Sequence, residues 1–190
     1  MEAPPSTPKA PRAVILVEGT SDAVAVETLA ERRERDLSAE GVVIVPIGGA
    51  QAIGRFLGLY GPDVKLAGLC DAAEEPDFRR ALELAGHGND LTRDDLERLG
   101  FFTCEPDLEA ELIRAVGSDT VLEVAEAHGD AASFRTLQKQ PEWRERLVEE
   151  QLRRWLGSGG SRKIRYARYL IEALDLDVVP RPLDGVLAAV

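Results

Sequence analysis

AVILVEGTSD, residues 13–22, is the stretch on which the reading of the whole chain turns. Ala13 to Val17 is a short, unbroken apolar run rich in β-branched residues, the pattern of a strand covered on both faces, and it is predicted as a central parallel strand. An acid, Glu18, follows at once. Gly19 then suits a tight turn, and Ser21 and Asp22 offer capping and first-turn chemistry to a helix that carries Val24, Val26, Leu29 and Ala30. Ligands of open parallel sheets gather at the carboxyl ends of the strands, so Glu18 stands where chemistry is expected.

Working outward, Gly41 to Pro46 (GVVIVP) reads as a second buried strand, Ala50 to Leu59 as a helix and Lys65 to Cys70 (KLAGLC) as a third strand. Strand, helix, strand, helix, strand is the order of right-handed βαβ units around a parallel sheet. Beyond Asp71 the pattern predicts a helix from Pro76 to about Ala85, a turn at GHGN, a short helix capped by Thr92 and a fourth strand over Gly100 to Cys104. After Pro106 everything reads as helix: PDLEAELIRAVG, SDTVLEVAEAHG and a long PEWRERLVEEQLRRWL, each closed by Gly. GSGGS at 157–161 is a flexible break before a last helix from about Arg162 to Leu174. The chain therefore divides into a flexible tail at 1–12, rich in Pro, Ser and Ala, an α/β core at 13–115 and a helical C-terminal extension at 116–190.

Composition narrows the function classes. Two cysteines, Cys70 and Cys104, are too few for a disulfide framework or a zinc cluster; each ends an apolar run and is expected as a buried thiol in a reducing compartment. No run approaches the roughly 18 apolar residues of a membrane span, and MEAPPSTPKAPR has no apolar signal core, so a cytoplasmic location is expected. A formal net charge of −11 argues against a general polyanion binder. The charge is uneven, however: between Pro141 and Leu170 eight basic residues stand against four acidic ones. That segment suits either a phosphate-facing surface or a solvated helix laced with ion pairs.

Glu18 follows the first strand and Asp71 the third. Acids at loop starts often do no more than cap helices. Two carboxylates at one sheet edge, though, repel each other unless a cation sits between them, and oxygen-only ligands suit Mg²⁺ or Mn²⁺.

Taken together, LVEGTSD at 16–22, VVIVPIGGAQAIGRFL at 42–57 and GLCDAAEEPD at 68–77 resemble the successive signatures of Toprim domains, most closely those of the overcoming-lysogenization-defect (OLD) nucleases. PDLEAEL at 106–112 resembles the element that supplies a further acidic ligand in that family, here Glu109, and GGSRKIRYARYL at 159–170 resembles the late segment that carries its lysine, here Lys163. The resemblance covers 13–115 well and 158–174 in part. It implies a Rossmann-like, mostly parallel four-stranded sheet flanked by helices, and a Toprim core at 13–115.

The resemblance further implies a metal-dependent nuclease acting on DNA phosphodiesters. Glu18, Asp22, Asp71 and Glu109 would hold Mg²⁺ or Mn²⁺, Glu18, Asp71 and Lys163 would be catalytic, and Gly19, Ser21, Gly48, Gly49, Arg162 and Arg165 would meet phosphate or nucleic acid. Two departures matter. The second acid of the family's Asp-x-Asp falls at Ala73, so Glu74, Glu75 or Asp77 must substitute. GGAQAIGRF also lacks the Lys and Ser/Thr of a phosphate-binding loop, so the ATPase that accompanies OLD nucleases is expected on a separate subunit. The expected partners are nucleic acid, DNA ahead of RNA, and that ATPase, with no membrane and with homo-oligomerisation left open. The competing reading is a non-catalytic Toprim module that binds metal, nucleic acid or a partner protein.

Overall fold

In a computed structural model describing residues 10–190, the first strand, β1 (Ala13–Val17), is buried at every position. It earns that burial by lying inside a four-stranded, all-parallel sheet completed by β2 (Val42–Pro46), β3 (Lys65–Asp71) and β4 (Phe101–Cys104), in the order β2-β1-β3-β4. Alternation along β1 splits its side chains between two cores. Val14 and Leu16 join Ile53, Phe78, Leu82, Leu96 and Phe101 on one face, beneath α2 (Ile53–Leu57), α3 (Glu75–Leu84) and α4 (Arg93–Arg98). Ala13, Ile15 and Val17 face the larger core, which α1 (Thr20–Arg32) and α5 (Leu108–Val116) cover together with the later helices.

Those later helices are α6 (Ser118–Ala127), α7 (Ala131–Gln138), α8 (Val148–Gly157) and α9 (Gly160–Ala173); α10 (Arg181–Ala188) follows and closes against β4. Leu170, Ile171, Leu183, Val186 and Leu187 belong to the same core as Ile15 and Val17, so residues 160–188 complete the covering of the sheet. The charged run after α1 fastens them. Arg32 Nη1 donates to the Ile171 carbonyl at 2.7 Å and to that of Leu174, and Arg35 Nη1 donates to the Leu187 carbonyl at 2.6 Å. Guanidinium groups thus satisfy carbonyls at helix ends that have no partner within the helix.

Several sequence expectations need correction. β2 is an edge strand rather than a buried one, with Val43 46% exposed, because nothing among the described residues pairs with its outer side. The helix expected over 50–59 is a single 3-10 turn (Ala50–Ala52) followed by the short α2. The long helix expected over 141–156 begins only at Val148, and α7 and α10 went unforeseen. Its first half is held out of helix by a buried glutamine: Gln151 Nε2 donates to the carbonyls of Trp143 at 2.8 Å and Arg146 at 3.0 Å. Within GSGGS, Ser158 and Gly159 form a short break between α8 and α9, with Arg162 Nη1 donating across it to the Trp155 carbonyl at 2.9 Å. Of the expected tail, residues 1–9 lie outside the described residues, while Arg12 is already bound to both neighbouring strands through Gly41 and Lys65. No helix among the described residues is long and apolar enough to cross a membrane.

β3 and β4 meet where Gly68 lies beneath the Phe101 ring; a Cβ there would sit 2.5 Å from Phe101 Cδ1. Gly68→Ala is therefore expected to cost about 1–3 kcal/mol by overpacking. Urea unfolding measures it. Phe101→Leu in the same background should recover part of the loss, and a Gly68→Ala midpoint equal to the parent's would refute the close approach.

Candidate metal centre

Strand register brings the first two acids together. Val17 pairs with Leu69, so Glu18 and Asp71 leave adjacent strands one residue apart in register. The chain then turns through Ala72 and Ala73, and the Glu74 amide donates back to the Asp71 carbonyl at 3.0 Å, folding a third acid over the same spot. One carboxylate oxygen from each of Glu18, Asp71 and Glu74 lies within 4.8 Å of the others, and all three residues are half-buried. Glu74 thus places a carboxylate beside Glu18 and Asp71 where Ala73 offers none. Glu75 is instead paired with Arg79 and, at 2.6 Å, with Arg93, and Asp77 faces a separate cavity beside Arg80.

The donor set fits a hard divalent cation. Oxygens on opposite sides of an octahedral ion bound at about 2.1 Å stand roughly 4.2 Å apart, so three oxygens with this spread can share one ion with little movement. Glu74 Oε2 is buried and finds no donor among the described residues, as expected of an oxygen whose partner is a cation.

The neighbourhood is built to hold these acids in place. The Glu18 carbonyl accepts from the amides of Gly48 at 3.1 Å and Gly49 at 3.3 Å, in a turn that needs positive φ at both glycines. Asp22, 6% exposed, reaches back from the first turn of α1 to the Gly19 amide at 2.9 Å. Asp71 Oδ1 accepts from the Leu108 amide at 3.0 Å and so ties β3 to the start of α5. Glu109, one residue on and 8% exposed, meets Lys163 of α9, with Nζ 3.2 Å from Oε1.

Crowding and burial move the titrations. Burial raises the pKa of Glu18, with the Glu74 and Asp22 charges adding to it. Burial likewise raises Asp22 and Glu109, and it pushes Asp71 to about 8, helped by the charge on Asp22. For Lys163 desolvation pulls downward, but the carboxylates of Glu109, Asp22 and Asp71 outweigh it and raise its pKa. The ammonium is thus the counter-charge of the cluster.

Of the acids expected as ligands, the structure brings Glu18 and Asp71 together with Glu74, while Asp22 and Glu109 stay outside that three-oxygen cluster, Asp22 on the Gly19 amide and Glu109 on Lys163. Helix α9 packs on α5 and so seats Lys163 beside the acids, in contact with Glu109. The residues expected to meet phosphate are mostly engaged elsewhere. The Gly19, Gly48 and Gly49 amides bond within the strand-end turns, and Ser21 is buried. Arg162 stacks over Trp155 at 4.7 Å and donates to Ser158 and Ser133. Arg165 pairs with Asp130 at 3.0 Å but keeps an exposed face. The cysteines are buried as expected, and burial lifts the Cys70 thiol to about 12 and Cys104 well above its ordinary range.

Residues 11–67 match the family model described as overcoming lysogenization defect protein-like, TOPRIM domain. The fold is similar to the C-terminal region of the Burkholderia pseudomallei OLD protein, at 21% identity over 94% of this chain and 96% of that one, with a TM-score of 0.72. It is also similar to the C-terminal region of the Xanthomonas campestris pv. campestris OLD protein, at 25% identity over 94% of each chain, with a TM-score of 0.71. No curated protein matches the chain.

The raised pKa of Asp71 has a definite sign. Above its ordinary value of 3.8 the unfolded chain has lost a proton that the folded chain keeps until about 8, so rising pH removes stability from the metal-free protein across that window. The melting temperature in a chelator should fall between about pH 5 and pH 8, and Asp71→Asn should flatten the fall. Mg²⁺ or Mn²⁺ added near pH 7 should release protons and raise the melting temperature. Melting that ignores both pH and metal would contradict the centre.

Proposed function

Because this chain carries an OLD-like Toprim domain, a metal-binding fold of the nuclease type, we propose that it hydrolyses DNA phosphodiesters with Mg²⁺ or Mn²⁺ held by Glu18, Asp71 and Glu74. The observation that carries the reading is the convergence of those three half-buried carboxylates at the ends of β1 and β3. A divalent cation supplies Lewis acidity toward a phosphoryl oxygen and a water acidic enough to attack near neutral pH.

The chain's own groups do the rest. Asp22 braces the Gly19 turn and so sets the direction of Glu18, and Glu109 holds the Lys163 ammonium beside the cluster. From there Nζ offsets negative charge that grows on the phosphoryl group or on the departing oxygen. Arg165, still partly open, is placed to meet backbone phosphate further out. An ATPase working with this site would come from outside these 190 residues, since the turn at Gly48 and Gly49 serves strand β1 and has no phosphate-loop lysine.

Nicking of supercoiled plasmid tests the reading. The parent should nick with Mg²⁺ or Mn²⁺ and not in chelator, and Glu18→Gln and Glu74→Gln should each abolish nicking. Lys163→Met, which keeps the aliphatic stem against α5, should slow it about 30-fold to 1,000-fold, the equivalent of roughly 2–4 kcal/mol. If metal raises the melting temperature while plasmid stays intact at every metal concentration, the non-catalytic metal-binding module is the correct reading.

A further inference from the structure

Glu75, the first residue of α3, is buried yet charged, and arginines take both of its carboxylate oxygens: Arg79 of the same helix takes Oε1, and Arg93 Nε of α4 takes Oε2 at 2.6 Å. We propose that the Glu75–Arg93 ion pair is a positioning device of the neighbouring metal centre, locking the first turn of α3 so that the Glu74 carboxylate is aimed at Glu18 and Asp71. The proposal rests on the reading of that cluster as a metal site.

Glu74 depends on its backbone for its aim. Its Oε2 is buried without a donor among the described residues, so no protein partner fixes that oxygen. The Glu74 amide donates to the Asp71 carbonyl at 3.0 Å, and the Asp77 amide donates to the Glu74 carbonyl at 2.9 Å. Both bonds lie within residues 71–77 and would survive a pivot of that turn as a unit, so contacts with other elements must set its direction. On the strand side the Ala72 amide is held by the carbonyls of Cys104 at 3.0 Å and Pro106 at 3.1 Å. On the helix side Phe78 anchors α3 one turn further on, in the smaller core, and the Glu75–Arg93 pair fixes the first turn itself. Glu74 lies between these two moorings.

Arg79 belongs to α3 and moves with it, whereas Arg93 ties Glu75 to a different element. Arg93 is itself well founded. Thr92 caps α4 through reciprocal bonds with Asp95, Leu96 is buried in the smaller core, and Glu83 of α3 accepts from the Leu91 amide at 2.9 Å. Arg93 Nη1 also reaches Glu105, just after β4, at 3.0 Å, so one guanidinium spans α3, α4 and the turn that leads to α5. A buried ion pair gains little in stability over apolar residues of the same volume, so the service of this one is geometric. Groups outside the ligand shell govern metal affinity in this way, by orienting the ligands.

Mn²⁺ titrated into the full chain, with the free ion read by its electron paramagnetic resonance signal, gives the affinity without turnover. Arg93→Met should weaken binding about 10-fold to 100-fold. In a Glu74→Gln background, where the carboxylate to be aimed is gone, the same substitution should change the affinity by no more than about twofold, the non-additivity of two residues that act through one ligand. Arg181→Met, which releases α4 at Glu97 instead of at Glu75, should stay within about twofold of the parent. If Arg93→Met folds poorly because it strands the Glu75 charge, adding Glu75→Gln removes that charge, and the folded double variant should still bind Mn²⁺ weakly. Parental affinity in Arg93→Met or in that double variant, equal weakening with and without the Glu74 carboxylate, or equal weakening in Arg181→Met would each overturn the proposal. A parent chain that binds no Mn²⁺ rejects the metal site and the clamp together, whereas Mn²⁺ binding that Arg93→Met leaves unchanged rejects the clamp alone.

Discussion

Mutual repulsion among carboxylates governs the arrangement of this protein. β1 and β3 are adjacent and parallel, so the acids that follow them emerge on one edge, and the turn into α3 adds Glu74 to the same place. Asp22 and Glu109 crowd in from the starts of α1 and α5. Such an assembly opposes folding unless it takes up protons, a counter-ion or both. The raised titrations of Glu18, Asp22, Asp71 and Glu109 are the signature of that opposition, and Lys163 is the positive charge the chain itself supplies.

Placing that lysine explains the later helices. Lys163 lies in the first turn of α9, and α9 runs along α1 through the larger core, with Tyr166, Leu170 and Ile171 buried. Arg32 and Arg35, at the far end of α1, bind carbonyls near the ends of α9 and α10. Helix α1 thus positions the cluster at both ends, with Asp22 at its first turn and the anchor of the lysine-bearing helix at its last. The C-terminal segment is accordingly part of the site's construction.

Much of this was legible in the sequence because it depends on neighbours along the chain. The apolar run Ala13–Val17 followed by Glu18, and Lys65–Cys70 followed by Asp71, mark buried parallel strands and the acids at their ends, since strand direction carries each acid to the carboxyl edge. Thr92 as a cap and Gly117 as a helix terminator are likewise local. What the sequence did not decide depends on contacts between distant residues. Whether β2 is central or at the edge is settled by what pairs beside it, which a β-branched run does not encode. That Glu74, rather than Glu75 or Asp77, joins the centre follows from the turn at Ala72 and Ala73 and from Arg93 taking Glu75. The break before α8 comes from a glutamine side chain outcompeting helical hydrogen bonds that the local pattern favours, and the pairing of Lys163 with Glu109 from α9 packing on α5. Periodicity and strand direction are properties of the chain, whereas pairing and burial are properties of the packed molecule.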